Sequence, residues 1–327
     1  MATESPLAPD SLGPTVCVGE ILVEIVATSV GEGFLEPIDL VGPYPSGAPA
    51  IFIDQCAKIG GSAAMVGAVG DDDFGRLNIR RLERDGADVS AIYVDPVLPT
   101  GSAFVRYRPD GGRDFVYNMW TSAAAKIGWT DAVAALVARA GHLHVMGTIL
   151  PNPAAWEIIQ RAAEVIKGRG GSISLDPNLR KELGAAVDTE ARFAAMVAMS
   201  DLLLPSGAEL ERAAGVPGEA AALARLFALG VAEVALKRGA EGASAFGRDG
   251  SRVDAAAFAV EEVDPTGAGD CFGGAYVACR RLGMDTATAL TYGCAAGARN
   301  VTRRGPMEGA GTRVELDRLI AETGRRA

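Results

Sequence analysis

The sequence predicts an α/β fold with a mainly parallel central sheet flanked by helices, and three observations predict it. Short β-rich runs alternate with longer alanine-rich stretches along most of the 327 residues. The β-rich runs are near-continuously apolar, as in strands covered on both faces. The strand-then-helix rhythm is that of βαβ units. No internal repeat, low-complexity block or linker interrupts it, so one α/β domain over residues 15–327 is the simplest parse.

Residues 1–14 (MATESPLAPDSLGP) lack the basic start and apolar stretch of a signal peptide and read as a disordered leader. VCVGEILVEI then opens the domain as its first strand. IFIDQCAKIG, AAMVGAVG and FGRLNIRRLERDG continue the alternation, and HLHVMG, AAWEIIQRAAEVIKG, SISLD, DLLLPS and AEVALK resume it later. Between these blocks the rhythm breaks. Thr100 to Asn118 (TGSAFVRYRPDGGRDFVYN) is two alternating strands around Asp110-Gly111-Gly112, a hairpin rather than a crossover. With the Gly- and Pro-rich stretch from Gly31 to Pro49, it predicts a small β-rich lid built from segments of about 31–49 and 98–120; an edge hairpin that merely finishes the sheet fits the pattern equally. The last third reads as helices over Gly267 to Leu282, Thr286 to Thr302 and Arg313 to Thr323. His142 and His144 share a strand face with no carboxylate or thiol at ligand spacing, so they read as packed strand histidines.

Forty-one acidic against 31 basic residues leave a net charge of −10, which argues against a nonspecific affinity for nucleic acid or anionic membrane built on a basic surface. The five cysteines are scattered with no C-x-x-C pair, which suggests neither a disulfide framework nor a thiolate metal site and fits a reducing cytoplasm. No apolar run reaches the roughly 18 residues of a membrane span.

The chemistry concentrates in Asp264-Pro265-Thr266-Gly267-Ala268-Gly269-Asp270, where an apolar strand-like run hands over to a helix through small residues. Gly267, Ala268 and Gly269 let backbone N–H groups approach a phosphate closely, and the helix start adds favourable potential. Asp270 lies in the first turn, placing a carboxylate beside that cradle, as deprotonating an alcohol next to a transferring phosphoryl group requires. Taken alone, the same residues would also make an ordinary turn whose Asp caps the helix.

At these residues the chain strongly resembles the ribokinase-like (PfkB) sugar kinases, whose D-[PT]-T-G-A-G-D signature followed by F-x-G-A is met from Asp264 to Ala275. The resemblance extends from about Thr15 to Glu322 through Gly19-Glu20, the run Gly67 to Gly75, the D-x-N-x-R run Asp176 to Arg180, the P-S-x-x-E run Pro205 to Glu209, and K-x-G-x-x-G from Lys237 to Gly242. It implies a ribokinase-like fold and phosphorylation of a sugar hydroxyl by MgATP. Asp270 is then the base, and Gly267, Ala268 and Gly269 form the anion hole. Glu209 acts on magnesium or phosphate, although Ser206 replaces the usual Asn three residues earlier. Lys237, Gly239, Gly242, Thr266 and Gly297 are implied to contact nucleotide, with Cys294 where many relatives carry Asn. Asp264 and the Thr266 backbone are implied to hold a monovalent cation such as K+, and the lid to pair two copies into a homodimer.

For the sugar, the resemblance implies Glu24, Gly47, Tyr117 and Arg180, together with Asp270. The usual glycine-rich signature with an Asn is here Ser46 to Ile51, so ribose is unfavoured. G-E-x-L-x-E from Gly19 to Glu24, R-x-F-x-Y from Arg113 to Tyr117 and D-x-N-x-R resemble kinases of 2-keto-3-deoxygluconate, but the Arg those enzymes use on the carboxylate is here Met119. A ketohexose of tagatose or fructose type is expected, with the acid sugar as alternative. On residues alone, Glu209 also reads as a solvated helix charge, Tyr117 as a hairpin core aromatic and Arg180 as a surface ion-pair partner. A non-catalytic sugar sensor would be expected to lose Asp270. A nicotinamide-dependent enzyme would need a G-x-G-x-x-G after the first strand, and none is present.

Overall fold

The computed structural model describes residues 5–178 and 188–326. Among them, nine strands form one sheet. β1 (Thr15–Val18) lies beside β4 (Ala63–Gly70), which pairs with β5 (Asp88–Asp95). On its other side β1 is followed by β8 (His142–Met146), β9 (Ser172–Asp176), β10 (Leu202–Leu203) and β11 (Glu233–Lys237). All of these pairs are parallel, and β12 (Ala243–Gly247) and β13 (Arg252–Ala255) close one edge antiparallel. The continuous apolar runs have their reason here: every residue of β1, β4, β8 and β9 is buried.

Helices cover both faces. On one lie α1 (Ala48–Lys58), α2 (Asp73–Arg84), α8 (Ala268–Arg281), α9 (Thr286–Val301) and α10 (Arg313–Glu322), packed through Phe52, Leu82, Tyr276, Leu290 and Leu316. On the other lie α3 (Asp131–Arg139), α4 (Pro153–Gly168), α5 (Thr189–Met199), α6 (Glu209–Ala214) and α7 (Glu219–Leu229). The three C-terminal helices fall within a residue or two of their expected limits.

Two expectations need correction. The run VCVGEILVEI is not one strand: it leaves the main sheet at Val18 and re-enters a second, smaller sheet as β2 (Leu22–Ala27). That sheet has the order β3-β2-β6-β7, from β3 (Leu40–Ser46), β6 (Gly101–Tyr107) and β7 (Arg113–Asn118). The expected hairpin is β6–β7, paired antiparallel from Ser102↔Asn118 to Tyr107↔Arg113, and β6 joins β2 in parallel. The second correction concerns the leader. From Ser5 onward it packs on the body, with Leu7 and Ala8 buried, because the fully buried Arg281 guanidinium donates to the carbonyls of Ala8, Pro9 and Gly13 and to Thr15 Oγ1.

His142 and His144 are buried on β8. His142 is bonded through both ring nitrogens to Ser172 and Ser174, and His144 shares Ser174 and stacks on Phe52. Burial pushes both pKa values well below the ordinary imidazole value, as for neutral, structural side chains.

Candidate active site

Helix α8 starts between two cavities. Gly267, its N-cap, has φ 82°, and a Cβ there would lie 2.3 Å from the Pro306 carbonyl oxygen, so only glycine fits this turn. The Thr266 carbonyl accepts from Asn300 Nδ2 at 2.8 Å, fixing the turn to α9. Amides in the first turn of a helix have no partner within it, so this end offers donors and positive potential to an anion.

On one side of that turn Pro265, Ala268 and Gly269 line a cleft of about 290 Å³. Lys237, Gly239 and Gly242 border it, and Phe272, Cys294, Gly297 and Ala298 form a largely apolar wall. A Cβ on Gly297 would lie 3.2 Å from the Ala268 carbonyl oxygen, a tight contact where α9 crosses the start of α8. On the other side Thr266, Gly267 and Asp270 line a second, narrower cavity closed by the small sheet. Glu20, Leu22, Glu24, Gly47, Phe115, Tyr117 and Met119 are among its other walls. Gly47 has φ 108°, and a Cβ would lie 2.4 Å from the Glu20 carbonyl oxygen.

Strand periodicity explains the closure. Residues 113, 115 and 117 share one face of β7, and their partners Tyr107, Val105 and Ala103 share the matching face of β6. That face looks onto the turn and the cavity: Arg113 Nη1 donates to Thr266 Oγ1 at 3.2 Å, and Phe115, Tyr117 and Ala103 line the cavity.

Asp270 is buried at the boundary and accepts from Asn178 Nδ2 at 3.2 Å. Asn178 has φ 27°, a left-handed backbone that asparagine tolerates better than most residues. Lys237 Nζ is paired with Asp176, and a Cβ on Gly269 would lie 3.6 Å from it. Burial alone would lower the Lys237 pKa, but the charges of Asp176, Glu209 and Asp270 outweigh it and raise it, so the side chain stays an ammonium. Glu209 Oε2 accepts from the Ser206 N–H at 2.7 Å, at the start of α6.

Most of the expected site residues therefore gather around the start of α8: Asp270, Gly267, Glu24, Gly47 and Tyr117 at the closed cavity, and Ala268, Gly269, Lys237, Gly239, Gly242 and Gly297 at the cleft. Thr266, expected on the nucleotide side, instead lines the closed cavity. Arg180 lies outside the described residues. Glu20, Asp176 and Asn178 sat in motif runs without an assigned role, and Tyr107 carried no signal at all. Tyr107 Oη is bonded to Asp264 Oδ1 and lies 3.0 Å from Thr266 Oγ1. Asp264 Oδ1 also accepts from Thr266 N at 2.9 Å, and Oδ2 from Gly305 N at 2.9 Å, so both carboxylate oxygens already have donors from this chain.

A glycine-rich helix start between a cleft and a narrower cavity lined by carboxylates is an arrangement suited to phosphoryl transfer to a small hydroxylated molecule. The profile described as pfkB family carbohydrate kinase matches residues 15–313, and the chain belongs to that family; it is a sugar phosphotransferase with a ribokinase-like fold. It is 30% identical over 316 residues to fructokinase-1 of Oryza sativa subsp. japonica, covering 93% of this chain and 97% of the rice protein. It is 32% identical over 312 residues to 2-dehydro-3-deoxygluconokinase of Thermoproteus tenax, covering 93% of each. In shape it is similar to a putative ribokinase II from E. coli solved in complex with ATP and Mg2+, with TM-score 0.88, 40% identity, and coverage of 94% of this chain and 99% of that one.

Proposed function

We propose that this sugar kinase transfers the γ-phosphoryl group of ATP to a hydroxyl of a neutral ketohexose of the fructose or tagatose type. The observation that carries the sugar class is the lining of the closed cavity. Glu20, Glu24 and Asp270 bring carboxylates to the cavity, and Met119 stands where an acid-sugar kinase needs a cation. Fructokinases among the relatives support the same reading. The 32% identity to the Thermoproteus tenax enzyme favours 2-keto-3-deoxygluconate as the second reading.

In this mechanism the sugar hydroxyl lies against Asp270, whose carboxylate, oriented by Asn178, takes the proton as the hydroxyl oxygen attacks the γ-phosphorus. The bond from that phosphorus to the β-phosphate oxygen breaks and ADP leaves. Amides from Gly267 to Asp270 meet the charge on the transferred group, and Lys237 meets the leaving phosphates. Magnesium bound with ATP would offset phosphate charge, and Glu209 and Asp176, the carboxylates grouped around Lys237, are the hard oxygen donors suited to it. All five cysteines are free and buried, which supports work in a reducing cytoplasm. Pairing of two copies is assigned to the small sheet, where β7 is an edge with Val116 exposed.

A coupled ADP-release screen over ketohexoses, aldopentoses, nucleosides and 2-keto-3-deoxy acids tests the reading. A ketohexose should give the highest kcat/KM, and Met119→Arg should shift the ratio toward keto acids by about tenfold or more. A wild-type preference for the keto acid would replace the first reading by the second.

A further inference from the structure

We infer that Tyr107 is a positioning residue that holds the phosphate-binding turn from the lid, in the place a monovalent cation would take beside Asp264. The inference rests on the kinase reading of that turn.

Three observations carry it. First, the hydroxyl of Tyr107, at the end of β6, is bonded to Asp264 Oδ1 and lies 3.0 Å from Thr266 Oγ1. Its neighbour across the hairpin, Arg113, donates to the same Thr266 hydroxyl, which brings a fixed positive charge to the turn. Second, the Asp264 carboxylate is 1% exposed and receives chain donors on both oxygens, with Thr266 N on one and Gly305 N on the other. A buried carboxylate needs compensating donors or a cation, and here the chain supplies the donors. Third, the hairpin that sends Tyr107 and Arg113 to the turn also sends Phe115 and Tyr117 to the closed cavity, from alternate positions on one face. The sugar side and the phosphate side are therefore held by a single two-stranded unit. Tyr107 lines neither the cleft nor the cavity; it acts through Asp264 and Thr266, whose following residues Gly267 to Asp270 do the chemistry.

The experiment compares wild type with Tyr107→Phe, which keeps the ring and removes only the hydroxyl. With the best sugar from the screen, Tyr107→Phe should lower kcat by about tenfold with the KM for sugar and ATP changed by less than about threefold. Wild-type kcat should differ by less than about twofold between potassium chloride and tetramethylammonium chloride at equal ionic strength, whereas the variant should gain activity with potassium. The same ions are compared by thermal unfolding without substrates. The wild-type midpoint should not respond to potassium, and that of the variant should rise. Potassium activation of wild type by tenfold or more, or a variant with wild-type kcat and no potassium response, would overturn the inference. The wild-type arms need no variant to fold. If no sugar is phosphorylated the kinase reading fails on its own, and the ion response of the unfolding midpoint still decides the role of Tyr107.

Discussion

The role of base proposed for Asp270 rests on what surrounds it. A first-turn aspartate is ordinarily a helix cap, but here the carboxylate is buried, held by Asn178 and set on the cavity side of a turn whose other face opens to the cleft. Asp270→Asn keeps the shape and removes the proton acceptor. It should lower kcat by on the order of 10²-fold or more while leaving ATP and sugar binding, followed by calorimetry, within a few-fold. Turnover near that of wild type would sink the assignment. The motif made this residue legible because its parts are contiguous: glycines, helix start and carboxylate fall within seven positions. Glu20 was present in a recognised run yet had no role, because its place in the cavity follows from the chain leaving the main sheet after Val18, a bend that an unbroken apolar run conceals. Tyr107 was invisible for a different reason: its partner Asp264 lies 157 residues away.

At the scale of elements, the hairpin β6–β7 is the part whose pattern was easiest to read and whose use was hardest. Alternation gave its two strands and Asp110-Gly111-Gly112 its turn, but periodicity does not say which face meets what. The register shows that the odd-numbered face from 103 to 107 and from 113 to 117 turns inward. The stacked pair Phe115 and Tyr117, with ring centroids 5.2 Å apart, roofs the cavity. A roof that excludes water protects the γ-phosphate from hydrolysis until a sugar is bound. Phe115→Ala with Tyr117→Ala should therefore raise sugar KM by about tenfold and increase ATP hydrolysis measured without sugar. Replacing the turn residues 109–112, which line neither the cleft nor the cavity, should change neither value. Unaltered sugar KM and ATPase activity in the double variant would show that the hairpin only finishes the sheet.

Across the whole molecule, the fold was readable wherever burial is apolar and much less so where it is polar. Arg281 and Asp54 sit within helical runs that the pattern predicts, yet each is buried and ties distant parts together. Arg281 fastens the N-terminal segment to α8, which is why residues 5–14 are packed although their composition suggested a loose leader. Asp54, on α1, meets Arg81 of α2 at 3.3 Å, and Arg81 in turn donates to the Met307 carbonyl and to Glu308. Burial raises the Asp54 pKa to about 7, with Asp85 adding to the rise and Arg81 and Lys58 opposing it. In the unfolded chain the same carboxyl ionises near its ordinary value of 3.8. Between those values the folded chain carries a proton that the unfolded chain has lost. The Asp54 contribution to stability is therefore complete below the unfolded pKa, declines as pH rises through the folded one, and is constant above it. Asp54→Asn keeps a neutral side chain of the same shape at every pH. The thermal midpoint of wild type, relative to this variant, should fall between about pH 5 and pH 7 and run parallel to it above about pH 8. A midpoint difference that stays constant over the whole range would mean that Asp54 is ionised in the folded protein, balanced by Arg81 and Lys58.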